Sequence, residues 1–407
     1  IYGIYIQMSN YNTFTENSIN NSNECGIYVI DYSSQNILYR NIIKQNKIGI
    51  KMNRANNNNI SNNSIILNSE IGLNISYGYN NAIYENNISS NGFGVAIYSS
   101  DAHLVARNTI KNNGNGIYLF DCGGSGTSIA ENEIAGNSNY GIWLENSKID
   151  VAGNNQIIKN SVYSNGKDGV YFKSSNINSI QQNSIYSNGE NGIYLNLSST
   201  NSIKENNIHS NGENGIYLNL SNSNYLQINN ISYNKKGIFI IRSSQGDSYP
   251  IKGNLIWNNT YGIFIEASES NYLGEKTMPN IIWNNTYGIY IANSSINNEI
   301  RYTIIQNNLQ GIFLFGNSTK TRIYDINITE NTYGININSS DCILNEIYHN
   351  NFLNNTNQAW DEGNNSWYVG TEGNYWSDRP PEQQYYTIPP YSAQDRYPLD
   401  SVREWWL

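Results

Sequence analysis

The hydrophobic and polar positions of the chain repeat one short phrase. Residues 188–198 read NGENGIYLNLS, and residues 211–221 read the same eleven letters 23 positions later. In each copy a glycine precedes an aliphatic residue, a ring and a second aliphatic residue: Gly192-Ile193-Tyr194-Leu195, then Gly215-Ile216-Tyr217-Leu218. With that glycine as a ruler, fifteen equivalents run from Gly3 to Gly334 at intervals of 22 to 28 residues. The residue after each is aliphatic, from Ile4 to Ile335, and the residue two further on is apolar, from Ile6 to Ile337. Alternation with period two marks a strand with one buried face, and the β-branched bias agrees. Between these strands the unit runs Asn-x-Ile-x-x-Asn-x-Ile-x-x-Asn, as at Asn201, Ile203, Asn206, Ile208 and Asn211. Apolar pairs bounded by Asn describe two more brief strands with tight corners.

A fixed period of this length predicts a repeat array. Three short strands per unit and no helical segment predict an all-β fold, a right-handed parallel β-helix (solenoid) of about 15–16 coils. At roughly 4.8 Å per coil, fifteen coils predict a rod about 70 Å long. The aliphatic registers should stack as internal ladders. The 78 asparagines should stack their amides at the corners and supply left-handed backbone there. A leucine-rich-repeat horseshoe would need a further fixed Leu, but that site holds Met8, Asp31, Arg54, Tyr77, Asp121 and Ser174 as well as Leu197 and Leu220. Long connections at 121–140, 145–168, 243–261 and 268–287 should bulge sideways, with 243–253 and 268–280 forming one protrusion. The solenoid is expected over 1–356, with Asn357–Trp360 a degenerate extra coil. Residues 357–407 hold five of the seven prolines, and Trp367, Trp376, Trp405 and Trp406, and read as an irregular cap over the last coil. The chain opens at Ile1 in mid-repeat, without Met or a cap. It reads as a mature or trimmed product, and the open end as a surface that could stack on another subunit.

Charged residues are only 14% of the chain, and net charge is −9 with 23 Lys plus Arg. That excludes nucleic acid as a partner, which needs clustered basic charge. No run of eighteen apolar residues predicts a membrane span. Cys25, Cys122 and Cys342 lie too many units apart to bridge and read as buried, inert thiols. His103, His209 and His349 are scattered, so neither a metal site nor a cofactor is expected.

The NGIYL…N-x-I-x-x-N unit resembles the β-helix repeats of NosD-like proteins, found on archaeal and bacterial surfaces. The tail strengthens the resemblance: Gly373-Asn374-Tyr375-Trp376-Ser377-Asp378, Tyr386-Thr387-Ile388-Pro389 and Asp395-Arg396-Tyr397-Pro398-Leu399 are similar to that family's GNYWSDY…PY-I…D-RYPL ending. The acidic, Gly-rich link usual between those blocks is missing. The resemblance implies the fold over nearly the whole chain. It implies little about function, because the repeat serves carbohydrate-active enzymes, copper-maturation proteins and surface coats. Without a copper-ligand cluster, the copper role is not carried over.

The ring between the two aliphatic registers recurs as Tyr118, Trp143, Tyr171, Tyr194, Tyr217, Phe239, Phe264, Tyr290 and Phe313. Tyr5 and Tyr28 repeat it earlier, and Lys51, Asn74 and Ala96 interrupt it. This predicts an outward, exposed aromatic stripe roughly 40 Å long. Three readings compete: cross-strand pairing, lateral packing against another chain and a sugar-stacking platform. The acid grouping for glycoside cleavage is Asp121 with Glu145, flanked by Asp101 and Lys173. Lys173 falls in the register of Glu145 one coil later, so a surface ion pair also accounts for it. Sequons number sixteen, close to chance for this composition. Asn196, Asn219, Asn293, Asn317 and Asn364 should face solvent and accept glycans, whereas Asn258 and Asn284 fall in the corner register and should turn inward.

Together these features predict an extracellular, structural cell-surface glycoprotein, a sheath, surface-layer or filament subunit. Its partners would be copies of itself or other surface proteins. The alternative is a polysaccharide-binding or polysaccharide-cleaving β-helix. Enzymatic activity is disfavoured; if present, it would be that of a glycoside hydrolase or polysaccharide lyase.

Overall fold

The computed structural model describes residues 1–147, 154–391 and 393–405. Part of the long connection over 145–168, and Trp406 of the tail, lie outside the described residues. Among them the secondary structure is β throughout, in two units, Ile1–Asn207 and Ile208–Leu407.

One coil shows the plan. Strand Ile48–Asn53 belongs to sheet 1, Asn59–Ser61 to sheet 2 and Ser64–Ile66 to sheet 3. Each pairs in parallel with its equivalent one coil on, in the register Ile50↔Leu73, Ile60↔Ile83 and Ile65↔Ile88. The first unit contains nine strands of sheet 1, all glycine-marked, and the second unit seven, of which the last, Asn357–Asp361, has Gln358 in the glycine's place. Beyond the first coil the inward residues of the three sheets are buried, Ile193 and Ile216 fully. The hydrophobic stripe of every strand therefore meets those of the other two sheets, which holds the coil closed.

The ruler glycine is set by close approach. A Cβ on Gly49 would lie 2.5 Å from the Gly72 carbonyl oxygen and 2.9 Å from both Asn68 Nδ2 and Ile65 Cγ2. Three asparagine columns run up the corners. Asn63 Nδ2 donates to Leu38 O and Ser61 O, at 2.8 and 3.0 Å, and to the Asn86 amide oxygen one coil on. The left-handed corner position is the residue before the column, Asn62, Glu85 or Arg107, with φ of 56°, 58° and 53°. Most such residues are not Asn, so the column asparagines are there for their amides and not for backbone tolerance. Asn258 and Asn284 occupy this left-handed position, and Asn259 and Asn285 hold the buried column. Asn258 and Asn284 thus do not turn inward; Asn284 Nδ2 donates to Asn258 Oδ1 on the outer surface.

A serine column accompanies them, as Ser147 and Ser175 show. Cys122 sits in it: its N–H donates to Ser147 Oγ at 3.2 Å and its Sγ contacts Ile97 O at 3.5 Å. All three cysteines are free and buried.

In the second unit, 243–253 and 268–280 bond to each other. Ile251 N donates to Tyr272 O and Gly253 N to Met278 O, both at 2.9 Å. Gln245, Ile251 and Leu273 are fully buried, so much of each insertion is built into the wall and not into a protrusion. Asn357–Asp361 pairs with Tyr333–Ile337, and Tyr375–Trp376 with Asn351–Leu353, so the turns continue beyond residue 356. Trp376 stacks on Phe352 at 4.2 Å and carries Tyr386 on its other side at 4.0 Å. The antiparallel hairpin of Tyr386–Ile388 and Ala393–Asp395 closes this end.

Candidate functional site

The rings meet one coil apart as the register demands, some stacked, some tilted and Phe264 with Tyr290 edge-on. In the first unit Tyr118 meets Trp143 at 4.4 Å, Trp143 meets Tyr171 at 6.2 Å and Tyr171 meets Tyr194 at 5.1 Å. In the second unit Tyr217, Phe239, Phe264, Tyr290 and Phe313 follow at 4.9, 5.1, 4.8 and 5.1 Å. A second column, unrecognised in the sequence, lies beside the first. Tyr140 packs 5.4 Å from Trp143 and 4.9 Å from Tyr171, and Tyr261 and Tyr287 pack at 5.3 and 5.2 Å from Phe264 and Tyr290. The signal was available: the residue before the ruler glycine is aromatic at Phe93, Tyr140, Tyr261, Tyr287 and Tyr333.

This tiling corrects the expected exposure. Tyr118, Tyr171, Phe239 and Phe313 are only 8–9% exposed, because neighbouring rings cover their faces. Trp143, Tyr194, Tyr217, Phe264 and Tyr290 are half-buried. The result in each unit is an aromatic pavement of stacked and edge-to-face rings, with amines on it: Lys167 Nζ lies 5.3 Å from the Tyr140 ring and Lys236 Nζ 4.1 Å from Phe239. Burial lowers the Lys236 amine below its usual range. At the Lys51 interruption the ammonium lies over the Tyr28 ring at 5.1 Å.

Asp121 and Glu145 do fall on successive coils, where the Asp121 N–H donates to the Glu145 carbonyl at 3.0 Å. Their carboxylates have opposite engagements. Glu145 accepts from Tyr118 Oη at 2.9 Å and from Lys173 Nζ, one coil on, at 2.8 Å. Asp121 accepts from Ser99 Oγ, one coil back, at 3.1 Å. Asp101 accepts from the Gly124 N–H at 2.7 Å. Burial and the Glu145 bond raise the Tyr118 phenol well above its usual range, so this hydroxyl remains a donor.

The densest polar cluster was not foreseen. On a separate four-stranded sheet of the second unit, Glu299 pairs in register with Arg322, and Arg301 with Tyr324. Glu299 is 2% exposed although it points outward. It receives Tyr324 Oη at 2.6 Å, Arg301 Nη1 at 2.8 Å and Arg322 Nη2. Asp247 of the insertion reaches Arg301 Nη2 at 2.9 Å. The only trace in the sequence is two coils reading Glu-Ile-Arg and Arg-Ile-Tyr, which ordinary polar alternation also yields. Tyr324 stacks on Tyr348 at 5.1 Å. One coil on, His349 Nε2 contacts Glu372 and Arg403 Nε pairs with Asp325 at 2.9 Å.

Among the sequons, Asn293, Asn317 and Asn364 are exposed, and Asn196 and Asn219 half-buried.

With this geometry in place, comparison with known proteins decides the family. The description "Right handed beta helix region" matches residues 1–124 and 122–278. The chain belongs to the right-handed β-helix family. Residues 246–380 match "Periplasmic copper-binding protein (NosD)", so the later part of this β-helix is NosD-like. No curated protein matches the chain in sequence. Among solved structures, the Dettilon tailspike protein is 14% identical, with 71% of this chain and 62% of that one covered and a TM-score of 0.40. The periplasmic alginate epimerase AlgG is 13% identical over 80% and 78% of the two chains, TM-score 0.40. The Azotobacter vinelandii mannuronan C-5 epimerase AlgE4 A-module is 12% identical over 86% and 91%, TM-score 0.37. Likeness at this level concerns the β-helix alone.

The donors in the NosD-like stretch do not fit copper. Soft sulfur and imidazole ligands suit that metal. Cys342 is sealed in the wall, and among the described residues no three His, Cys, Asp or Glu side chains group to hold a metal ion.

Proposed function

We propose that this β-helix is an exported, cell-surface carbohydrate-binding protein, with polysaccharide lying along the aromatic pavement of sheet 1. The observation that carries the reading is the two-column array, in which half-buried rings expose their rims beside Lys and Glu side chains. Such a rim packs against the C–H side of a sugar ring, while the phenols exchange hydrogen bonds with its hydroxyls, the ammonium groups donate to them and the carboxylates accept from them. The NosD-like match to a family described as periplasmic supports export. Binding without cleavage suits Asp121 and Glu145, because both carboxylates are engaged by neighbours. If cleavage occurs, these two remain its candidates. The test is retention on a panel of immobilised polysaccharides. Trp143→Ala, Tyr194→Ala and Tyr290→Ala should each weaken retention about tenfold, the loss of ~1.4 kcal/mol. Failure of the wild-type protein to bind any member would overturn the reading.

A second reading is a sheath, surface-layer or filament subunit that self-associates through the same face. Phe264 favours it, since it is half-buried, carries no hydroxyl for a sugar and suits apolar packing. Sedimentation across a concentration series, with glycan mass sought at Asn196, Asn219, Asn293, Asn317 and Asn364, tests it. A monomer without glycan at every concentration would remove it.

A further inference from the structure

The second unit holds a hollow of about 560 Å³ where Glu346–Tyr348, the last strand of the four-stranded sheet, meets the closing hairpin. Its volume lies within the roughly 300–1,000 Å³ of small-ligand sites. Three segments line it: Leu344–Glu346, the turn around Asn364–Tyr368, and Ala393, Gln394 and Arg396. Two buried carboxylates fix these segments. Asp395 accepts from Asn374 N at 2.7 Å, Trp376 Nε1 at 2.9 Å and Tyr397 N at 3.0 Å, which sets where Gln394 and Arg396 emerge. Asp361 accepts from Trp367 Nε1 at 2.8 Å and Asn365 Nδ2 at 2.7 Å, and Asn365 Oδ1 accepts the Asn345 N–H at 2.9 Å. The floor is therefore held before anything binds.

The side chains at its mouth are differently placed. Glu346, Asn364, Gln394 and Arg396 make no side-chain hydrogen bond or ion pair to another described residue, and the Tyr368 ring is half-buried beside Tyr397 at 5.1 Å. One carboxylate, one guanidinium, two amides and one ring thus converge on one space with open donors and acceptors. The two charges are of opposite sign, so the site attracts no net ionic charge. A neutral polyol matches it, because each sugar hydroxyl both donates and accepts while the ring face packs on Tyr368.

We propose that this hollow is a binding subsite for a neutral sugar unit, separate from the aromatic pavement. It is independent of the pavement reading, because no pavement residue lines it.

The experiment uses the full chain produced without N-glycosylation, which leaves Asn364 unmodified. Short oligosaccharides of glucose, mannose, galactose and galacturonate are titrated by calorimetry and saturation-transfer NMR. At least one neutral series should bind. Gln394→Ala and Arg396→Ala should each weaken it tenfold or more, while Tyr194→Ala on the pavement should leave it unchanged. Both substituted side chains lie at the surface, and unchanged far-UV dichroism confirms the fold. No binding by any neutral series, binding of galacturonate alone, or binding that survives both substitutions would overturn the proposal. Loss of polysaccharide retention in Tyr194→Ala with intact short-sugar binding would bear on the pavement alone.

Discussion

Asn63 donates both its backbone N–H and its side-chain amide to one oxygen, Asn86 Oδ1, at 2.9 and 3.0 Å. Asn86 repeats this toward Asn108, at 3.0 and 3.0 Å, and also donates to Ile60 O and Tyr84 O. One buried amide thus serves three coils. Asn86→Ala should cost about 3 kcal/mol, because it strands donors on one side and carbonyls on the other. Equilibrium denaturation in urea measures it, and a cost near zero would show the column to be ornamental.

Close approach and backbone conformation should separate at two glycines. Gly49→Ala forces a methyl to 2.5 Å from a backbone oxygen and should cost about 1–3 kcal/mol. At Gly246 an added Cβ meets nothing within 4 Å, and only φ of 59° opposes it. Gly246→Ala should cost about 1 kcal/mol. The same denaturation assay ranks the two.

Asp168 gives a pH signature. Burial raises its carboxyl to about 7, although it accepts from the Asn191 N–H and Nδ2. A raised folded-state value means that its stabilising contribution is complete below the unfolded value of about 4 and is lost as pH climbs through about 7. Asp168→Asn should retain the acceptor without the charge. The stability of the variant relative to wild type should therefore rise by roughly 2–4 kcal/mol between pH 4 and 8. Denaturation midpoints for both proteins across that range show whether the gap opens.

Burial pushes the Cys122 thiol up to about 12 and the Cys342 thiol up to about 11. Neither should react with a thiol reagent at pH 8 in the native protein, and both should react after denaturation. Rapid native labelling at Cys122 would show that the serine column opens, and at Cys342 that the wall around it does.

Removing Glu299 would leave Arg301 and Arg322 without their shared carboxylate and Tyr324 without its acceptor. Glu299→Ala should cost about 3 kcal/mol. Guanidinium denaturation is unsuitable for a charge network, so thermal unfolding at low and high salt is the measurement. A shift confined to low salt would place the network at the solvated surface.

The solenoid was legible because its physics is one-dimensional. Gly3 to Gly334 mark the coils, and Ile193 and Ile216 lie inside as the period-two pattern requires. The asparagine columns were legible as stacked amides, but their place was misread at Asn258 and Asn284. Sequence spacing cannot distinguish the left-handed residue from the column residue beside it when both are Asn. The candidate site was less legible. The first ring column could be read; its partial burial could not, because that depends on the second column packed alongside it.

By itself, then, the sequence determined what repeats: the strand period, the inward face, the coil count and the identity of each ladder. These depend on nearest neighbours one coil apart, and a fixed period records them. Only the tertiary structure decided what does not repeat. The Glu299 cluster draws on Asp247, and the hollow joins Glu346 to Arg396. The cluster and the hollow bring together segments whose separation is no multiple of the period, so no local pattern carries them.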